Sequence, residues 1–191
     1  MGEAKATLRE RLARHAVTIR GKDGRDYCVR PIEPTDAASL IRGYRALSPQ
    51  ERWFRLLHAV PELTPEAAAR FCSPDPDLDI CLVIEGQGDL AGDIVGGARV
   101  TGSPNRTDGE FSVSMRPEVQ GLGLARQALQ MVLDAAAEAG YRRIYGYVSV
   151  ENDGMRHLAK RLGFKVRRDP EDFSQLIAEI RLVPLRPPAR G

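Results

Sequence analysis

Apolar and polar positions along the first half of the chain predict a hairpin, then helices, then a run of strands. Residues 17–20 and 26–32 alternate on either side of the turn GKDG, which is typical of a β-hairpin. Capping and proline signals then predict three helices: Pro34 to about Leu47, 49–58, and Thr64 to about Cys72. Alternating and apolar runs with turn-rich links predict three strands: 79–85, 94–102 and 109–116.

The second half begins with the clearest helix of the chain. It lies between Gly121 and Gly140, and apolar residues recur on one face of it. These residues are Ala125, Ala128, Leu129, Val132, Leu133 and Ala136. The elements expected after it are a strand at 144–150, a helix from Asn152 to Gly163, and strands around Val166 and over 176–183. Because neighbouring strands come first and a strand–helix–strand crossover follows, the pattern predicts an α+β or mixed α/β fold.

The length of the chain, 191 residues, corresponds to one domain with short extensions. Residues 1–15 are expected to form a basic arm, in which Leu8 and Leu12 have helical spacing. Residues 16–184 are expected to form the domain, and residues 185–191 a disordered tail.

Composition and charge exclude several classes of protein. Lys and Arg total 28 and Asp and Glu total 26, so a net charge of +2 gives no general attraction to nucleic acid or an anionic membrane. No apolar run approaches the roughly 20 residues of a membrane-spanning helix. The histidines and cysteines have no metal-ligand spacing, so no metal site is expected. We interpret the three cysteines, Cys28, Cys72 and Cys81, as free thiols of a cytoplasmic protein.

The segment between the third of these strands and the long helix is the most informative for chemistry. A strand ends at Arg116-Pro117, and Gly121 and Gly123 precede the helix. Backbone N–H groups and the helix dipole at such a turn can hold a pyrophosphate, although a plain strand-to-helix turn would use the same glycines. Arg126 stands where GxGxxG would need its third glycine, and no GK[ST] is present.

The residues Gln120-Gly121-Leu122-Gly123-Leu124-Ala125 resemble the Q/R-x-x-G-x-G/A signature of the GNAT acyltransferase superfamily. The long helix, the strand at 143–150 and Asn152 followed by Gly163-Phe164 agree with the family in order. The segments RPIEPTDAASL, LSPQERWFRLL and LTPEAAARF are similar to bacterial protein-lysine acetyltransferases of the Pat type. The resemblance covers roughly 27–183 and implies a GNAT-like fold, with a central, mostly antiparallel sheet and acetyl-CoA as acyl donor.

The resemblance also implies which residues bind the cofactor. The backbone of Val113, Ser114 and Met115 would pair with the pantetheine arm where two strands separate. Asn152 would bond that arm, cap the following helix, or do both. The amides of the turn would hold the pyrophosphate, at Gln120, Gly121, Leu122, Gly123, Leu124, Ala125 and Arg126. The basic side chains that would contact the phosphates, or would simply be exposed charges, are Arg126, Arg156, Lys160 and Arg161.

Glu110 is the catalytic residue that the resemblance implies, since Pat-type enzymes keep a general base ten residues before the position of Gln120. A lysine amine has a pKa of about 10.4 and must lose a proton before it can attack a thioester. A glutamate becomes a better base when partial burial raises its pKa, so a partly desolvated Glu110 is expected. Without the family spacing, a surface glutamate on a strand would be the simpler interpretation.

One position departs from the family pattern. Many GNAT enzymes have a tyrosine seven residues after the asparagine, which protonates the leaving thiolate; here Ala159 occupies that position. Water can replace the side-chain acid, or none is needed, because a thiol of pKa about 8.5 leaves tolerably as thiolate.

The acceptor is left open by the residues themselves. The subfamily resemblance implies a protein lysine, with an acyl-CoA synthetase or another metabolic enzyme as partner. The alternatives are a small-molecule amine and a non-catalytic acyl-CoA sensor. Six acidic residues and no basic one lie between Asp75 and Asp93, which predicts a solvated loop or an acidic lip facing a basic substrate.

Overall fold

The computed structural model describes residues 16–56 and 62–183. These residues form one mixed sheet of eight strands with the order β1-β2-β3-β4-β5-β6-β8-β7. The strands are β1 (Val17–Arg20), β2 (Asp26–Pro31), β3 (Ile80–Glu85), β4 (Ile94–Gly102), β5 (Asp108–Met115), β6 (Arg143–Ser149), β7 (Lys165–Arg168) and β8 (Gln175–Arg181). The helices are α1 (Ala37–Ala46), α2 (Pro49–Leu56), α3 (Pro65–Phe71), α4 (Leu124–Glu138) and α5 (Asp153–Arg161). The predicted N-terminal arm, the C-terminal tail and the predicted end of the second helix at 57–58 lie outside the described residues.

The sheet is antiparallel at every pairing except that of β5 with β6. α4 connects these two strands, so the crossover expected from the sequence is present. Their parallel register covers only Asp108–Glu110 opposite Arg143–Tyr145. β5 continues to Met115 paired with β4 alone. The two central strands therefore separate directly after Glu110.

One face of the sheet is covered by α4, which packs on β3, β4 and β5. Leu129 and Val132 of this helix are fully buried, in one cluster with Ile84 and Val100 of the sheet. Because side chains alternate along a strand, Phe111 belongs to this core while Glu110, Ser112 and Ser114 face the other side. The main hydrophobic core thus lies on the face opposite Glu110.

The other face of the sheet is covered by α1 and α3, which pack against each other. Ser39 of α1 is buried, and its hydroxyl accepts a 2.7 Å hydrogen bond from the Ile94 N–H. This bond fixes α1 to the start of β4. A helical layer is therefore held above the sheet face that carries Glu110.

Local sequence signals account for most of the element boundaries. Ser48 and Glu51 form the predicted capping box, with backbone-to-side-chain bonds of 2.8 and 3.2 Å. Thr64 accepts a 3.2 Å bond from Ala67 and caps α3. The first predicted helix differs slightly, since Pro34–Asp36 form a 3₁₀ turn before α1 begins. No helix of the described residues is long and apolar enough to cross a membrane.

Candidate active site

The gap between β5 and β6 is the central feature of the site. Beyond Glu110, no strand among the described residues pairs with the free edge of β5. Val113, Ser114 and Met115 lie on this stretch and are partly buried. Their backbone groups on that edge can pair with an extended amide-containing chain as an added strand would. The pantetheine arm of acetyl-CoA is such a chain, so the gap fits it.

The turn after β5 has the geometry of an anion site. A 3₁₀ turn at Pro117–Val119 leads to Gly121 and Gly123, whose φ angles of 76° and 81° suit glycine. Gly123 is the N-cap of α4, so the first N–H groups of the helix have no intrahelical partner. No atom lies within 4 Å of the position that a Cβ would take on Gly121, so the outer surface of the loop is open. These features suit a pyrophosphate.

Gln120, the first residue of the signature, ties the turn to α2. Its side-chain amide donates a 2.6 Å hydrogen bond to Glu51 and a 3.4 Å bond to the carbonyl of Met115. Burial raises the pKa of Glu51, but hydrogen bonds from Ser48 and Gln120 outweigh this and lower it overall. α2 and the turn at Gln120–Gly123, called the cofactor turn below, are thus joined through the carboxylate of Glu51.

Asn152 acts as a helix cap. Its side-chain oxygen accepts a 2.9 Å hydrogen bond from the N–H of Met155 at the start of α5. Within the described residues, its side-chain N–H groups donate no hydrogen bond. Seven residues on, Ala159 is fully buried in the core. A side chain at that position faces the core, so α5 supplies no acid at position 159.

Glu110 lies where the two strands separate. It is opposite Thr101 of β4 and Tyr145 of β6, and its side chain is exposed to solvent. The surrounding protein nevertheless desolvates it in part, and this raises the pKa of Glu110 above that of an ordinary glutamate. Burial, and then the charge of Glu110, raise the pKa of Tyr145 as well. The site thus combines an accessible carboxylate of increased basicity with a phenol that stays protonated.

A cavity of about 210 Å³ lies on the same face of the sheet, and Ser112, two residues along β5 from Glu110, is among the residues that line it. Its roof comes from Tyr44 and Leu47 at the end of α1 and from Phe71 of α3. Its floor includes Ser112 and Ser114, which alternate with the core-facing residues of β5 as Glu110 does. On β5 the cavity therefore follows the strand beyond Glu110, from Ser112 to Ser114, and reaches Arg116.

The acidic stretch between Asp75 and Asp93 is only in part the solvated loop expected from the sequence, because Asp75, Asp77 and Asp89 are exposed whereas the other three carboxylates are paired. Asp79 is buried and paired with Arg99, and Glu85 bonds Arg30 at 2.7 Å. Asp93 pairs with two arginines, Arg42 at 2.5 Å and Arg116 at 3.0 Å. These three carboxylates form ion pairs with arginines that are distant in the sequence. A local count of charges therefore does not predict the pairs.

The basic residues expected at the phosphates differ in their surroundings. Arg156 is held by Asp153 at 2.6 Å and by the carbonyl of Val150 at 3.2 Å. Arg126, Lys160 and Arg161 are exposed. Lys22, which the sequence did not single out, lies against Gly123. No sequence signal could have shown this, because the contact joins a hairpin turn to a loop about a hundred residues later.

Comparisons with known proteins agree with this arrangement. The model of the Acetyltransferase (GNAT) domain family matches residues 27–165. Acetyltransferase PA5475 of Pseudomonas aeruginosa is 30% identical over 162 residues, which cover 84% of this chain and 86% of that protein.

Solved structures share the fold. The GNAT domain of S. lividans PAT has a TM-score of 0.78 at 23% identity, covering 87% of this chain and 97% of that one. The putative acetyltransferase yncA from Salmonella typhimurium, solved with acetyl-CoA, has a TM-score of 0.64 at 20% identity, covering 85% and 98%. With the family match, the separated strands and the open glycine turn, the chain belongs to the GNAT family and is an N-acetyltransferase that takes its acetyl group from acetyl-CoA.

Proposed function

We propose that the acceptor is a protein lysine and that Glu110 is its general base. The observation that carries the proposal is the position of Glu110, an exposed carboxylate of raised pKa at the point where β5 and β6 separate. An exposed base can be reached by a lysine on the surface of another protein. The similarity of residues 30–71 to Pat-type enzymes supports this class of acceptor.

The proposed transfer takes place in a ternary complex. Glu110 removes a proton from the lysine ammonium, directly or through one water molecule, because the protonated amine has no lone pair for attack. The neutral amine then attacks the thioester carbonyl, the new C–N bond forms, and the C–S bond breaks. CoA leaves as a thiolate, with no acid from position 159, and the second proton, which the nitrogen loses as the amide forms, passes to this thiolate or to water. In this proposal the turn at Gln120–Arg126 holds the pyrophosphate, the free edge of Val113–Met115 and the amide of Asn152 hold the pantetheine arm, and residues 16–184 form the catalytic domain.

The cavity gives the acceptor side of this proposal a physical basis. Aromatic and aliphatic side chains form its roof, and the two serines contribute hydroxyl groups to its floor. Such a surface suits an apolar group next to the reactive amine, with polar contacts to the backbone that carries it. Metabolic enzymes such as acyl-CoA synthetases are the protein partners that the subfamily resemblance suggests.

The test measures release of the CoA thiol from acetyl-CoA with a protein fraction and with a panel of small amines. Glu110→Gln should lower kcat with the protein fraction by about 10²-fold or more while acetyl-CoA binding is kept. Glu171→Gln is the matched control, because Glu171 is exposed in the loop before β8. Release with small amines alone would exclude the lysine acceptor and leave the acetyltransferase activity in place. Acetyl-CoA binding without release from either class would indicate a sensor.

A further inference from the structure

The turn between β1 and β2 packs on the cofactor turn, Gln120–Gly123. The N–H of Lys22 donates a 3.0 Å hydrogen bond to the carbonyl of Leu122. The side-chain amide of Gln127, in the first turn of α4, donates a 2.9 Å bond to the carbonyl of Arg20. One bond is accepted by the cofactor turn and the other by the hairpin. Together they fix the hairpin turn to the start of α4.

This docking places the side chain of Lys22 over the start of the helix. Its Cε and Cγ atoms lie 3.7 and 3.9 Å from the position that a Cβ would take on Gly123. The ammonium group is one bond from that Cε, which is close enough to Gly123 for the charge to reach the N-terminal N–H groups of α4. An anion held by those groups is therefore within reach of the lysine.

The charge of Lys22 is available for such an anion. Arg20, on the same hairpin, is paired with Asp26 at 2.7 Å. Asp23 accepts a 2.9 Å hydrogen bond from the hydroxyl of Tyr27 and a 3.2 Å bond from the N–H of Arg25. Within residues 16–56 and 62–183, Lys22 itself forms no ion pair.

We propose that Lys22 binds the pyrophosphate of acetyl-CoA, together with the backbone amides of the cofactor turn. The hairpin turn is then one wall of the cofactor site rather than a remote edge of the sheet. A charged group beside open helix N–H groups strengthens the binding of a phosphate ester. The proposal concerns the acyl donor alone and does not depend on which amine accepts the acetyl group.

The test compares the affinities of the wild type and Lys22→Met for CoA and dephospho-CoA, by calorimetry at low salt. Methionine keeps an unbranched apolar stem over Gly123 and removes the charge. Dephospho-CoA lacks the 3′-phosphate and keeps the pyrophosphate. We expect both affinities to fall by the same factor, roughly tenfold. The difference from the wild type should shrink at 1 M salt, where the Debye length is only about 3 Å.

Two controls make the result specific. Lys165→Met removes an exposed lysine from β7 at the edge of the sheet and should leave both affinities unchanged. Lys22→Arg keeps the charge and should retain most of the affinity. Unchanged binding by Lys22→Met would overturn the proposal. So would a loss confined to CoA, because the contact would then be with the 3′-phosphate. An unchanged thermal midpoint of the free variants would show that the fold is intact, as expected for an exposed side chain.

Discussion

Glu110 is the residue whose protonation should set the acidic limb of the pH–rate profile. Its pKa is raised by partial desolvation, so more of it is protonated at mildly acidic pH than of an ordinary glutamate of pKa 4.5. Only the carboxylate form of Glu110 can accept a proton from the acceptor amine. The rate constant kcat/KM should therefore fall as the pH falls, with an inflection above 4.5. The measurement is a pH series of kcat/KM at constant ionic strength.

The control for this inflection is the residual activity of Glu110→Gln. Glutamine does not titrate, so that limb should be absent from the profile of the variant. If both proteins showed the same inflection, another group would cause it, and Glu110 would not be the base.

Ala159 makes a second prediction at the scale of one residue. The side chain is fully buried and belongs to the main hydrophobic core. Ala159→Tyr should therefore overpack the core and lower the free energy of unfolding by about 1–3 kcal/mol. It should not increase kcat, because the new hydroxyl has no path to the leaving thiolate. Urea denaturation and the steady-state rate check this, and a variant of normal stability with a higher kcat would contradict it.

At the scale of elements, a hydrogen bond joins the cofactor turn to α2. Glu51 accepts hydrogen bonds from Ser48 within the capping box and from Gln120 across the site. Glu51→Ala removes both and should weaken acetyl-CoA binding by about threefold to tenfold, because the turn loses its anchor. Gln50→Ala, at an exposed position of the same helix, is the control. Equal binding by the two variants would show that the Gln120 contact does not support the turn.

Elements were predictable where the sequence specifies them locally. Thr64 before α3, Pro65 at its first position and the glycines around α4 fixed these helices within a few residues, because caps and positive φ angles are local properties. The separation of β5 and β6 followed from the family resemblance. The contacts of Lys22 with Leu122, and of Asp93 with two arginines, were not predictable. They join residues that only the completed sheet topology brings together, and no periodicity in the sequence encodes them.

In the whole molecule, the main hydrophobic core and the proposed acceptor cavity lie on opposite faces of the sheet. The face under α4 holds the fully buried Leu129, whereas the face under α1 and α3 has a cavity with Phe71 at 36% exposure. The ion pairs of Asp93 with Arg42 and Arg116 connect α1 to the strand end that leads into the cofactor turn. Changes on the two faces should therefore have different consequences.

Leu129→Ala should lower the free energy of unfolding by about 2–5 kcal/mol, since it removes a buried side chain and leaves a cavity. Phe71→Ala should lower it far less, because the ring is partly exposed, and should raise the KM for the acceptor with little effect on acetyl-CoA binding. Phe173→Ala is the control, because that ring is 72% exposed and does not line the cavity. Denaturant unfolding and kinetics with both substrates measure these effects. If Phe71→Ala changed the KM for acetyl-CoA instead, the cavity would belong to the donor and the acceptor would have to approach Glu110 from another side.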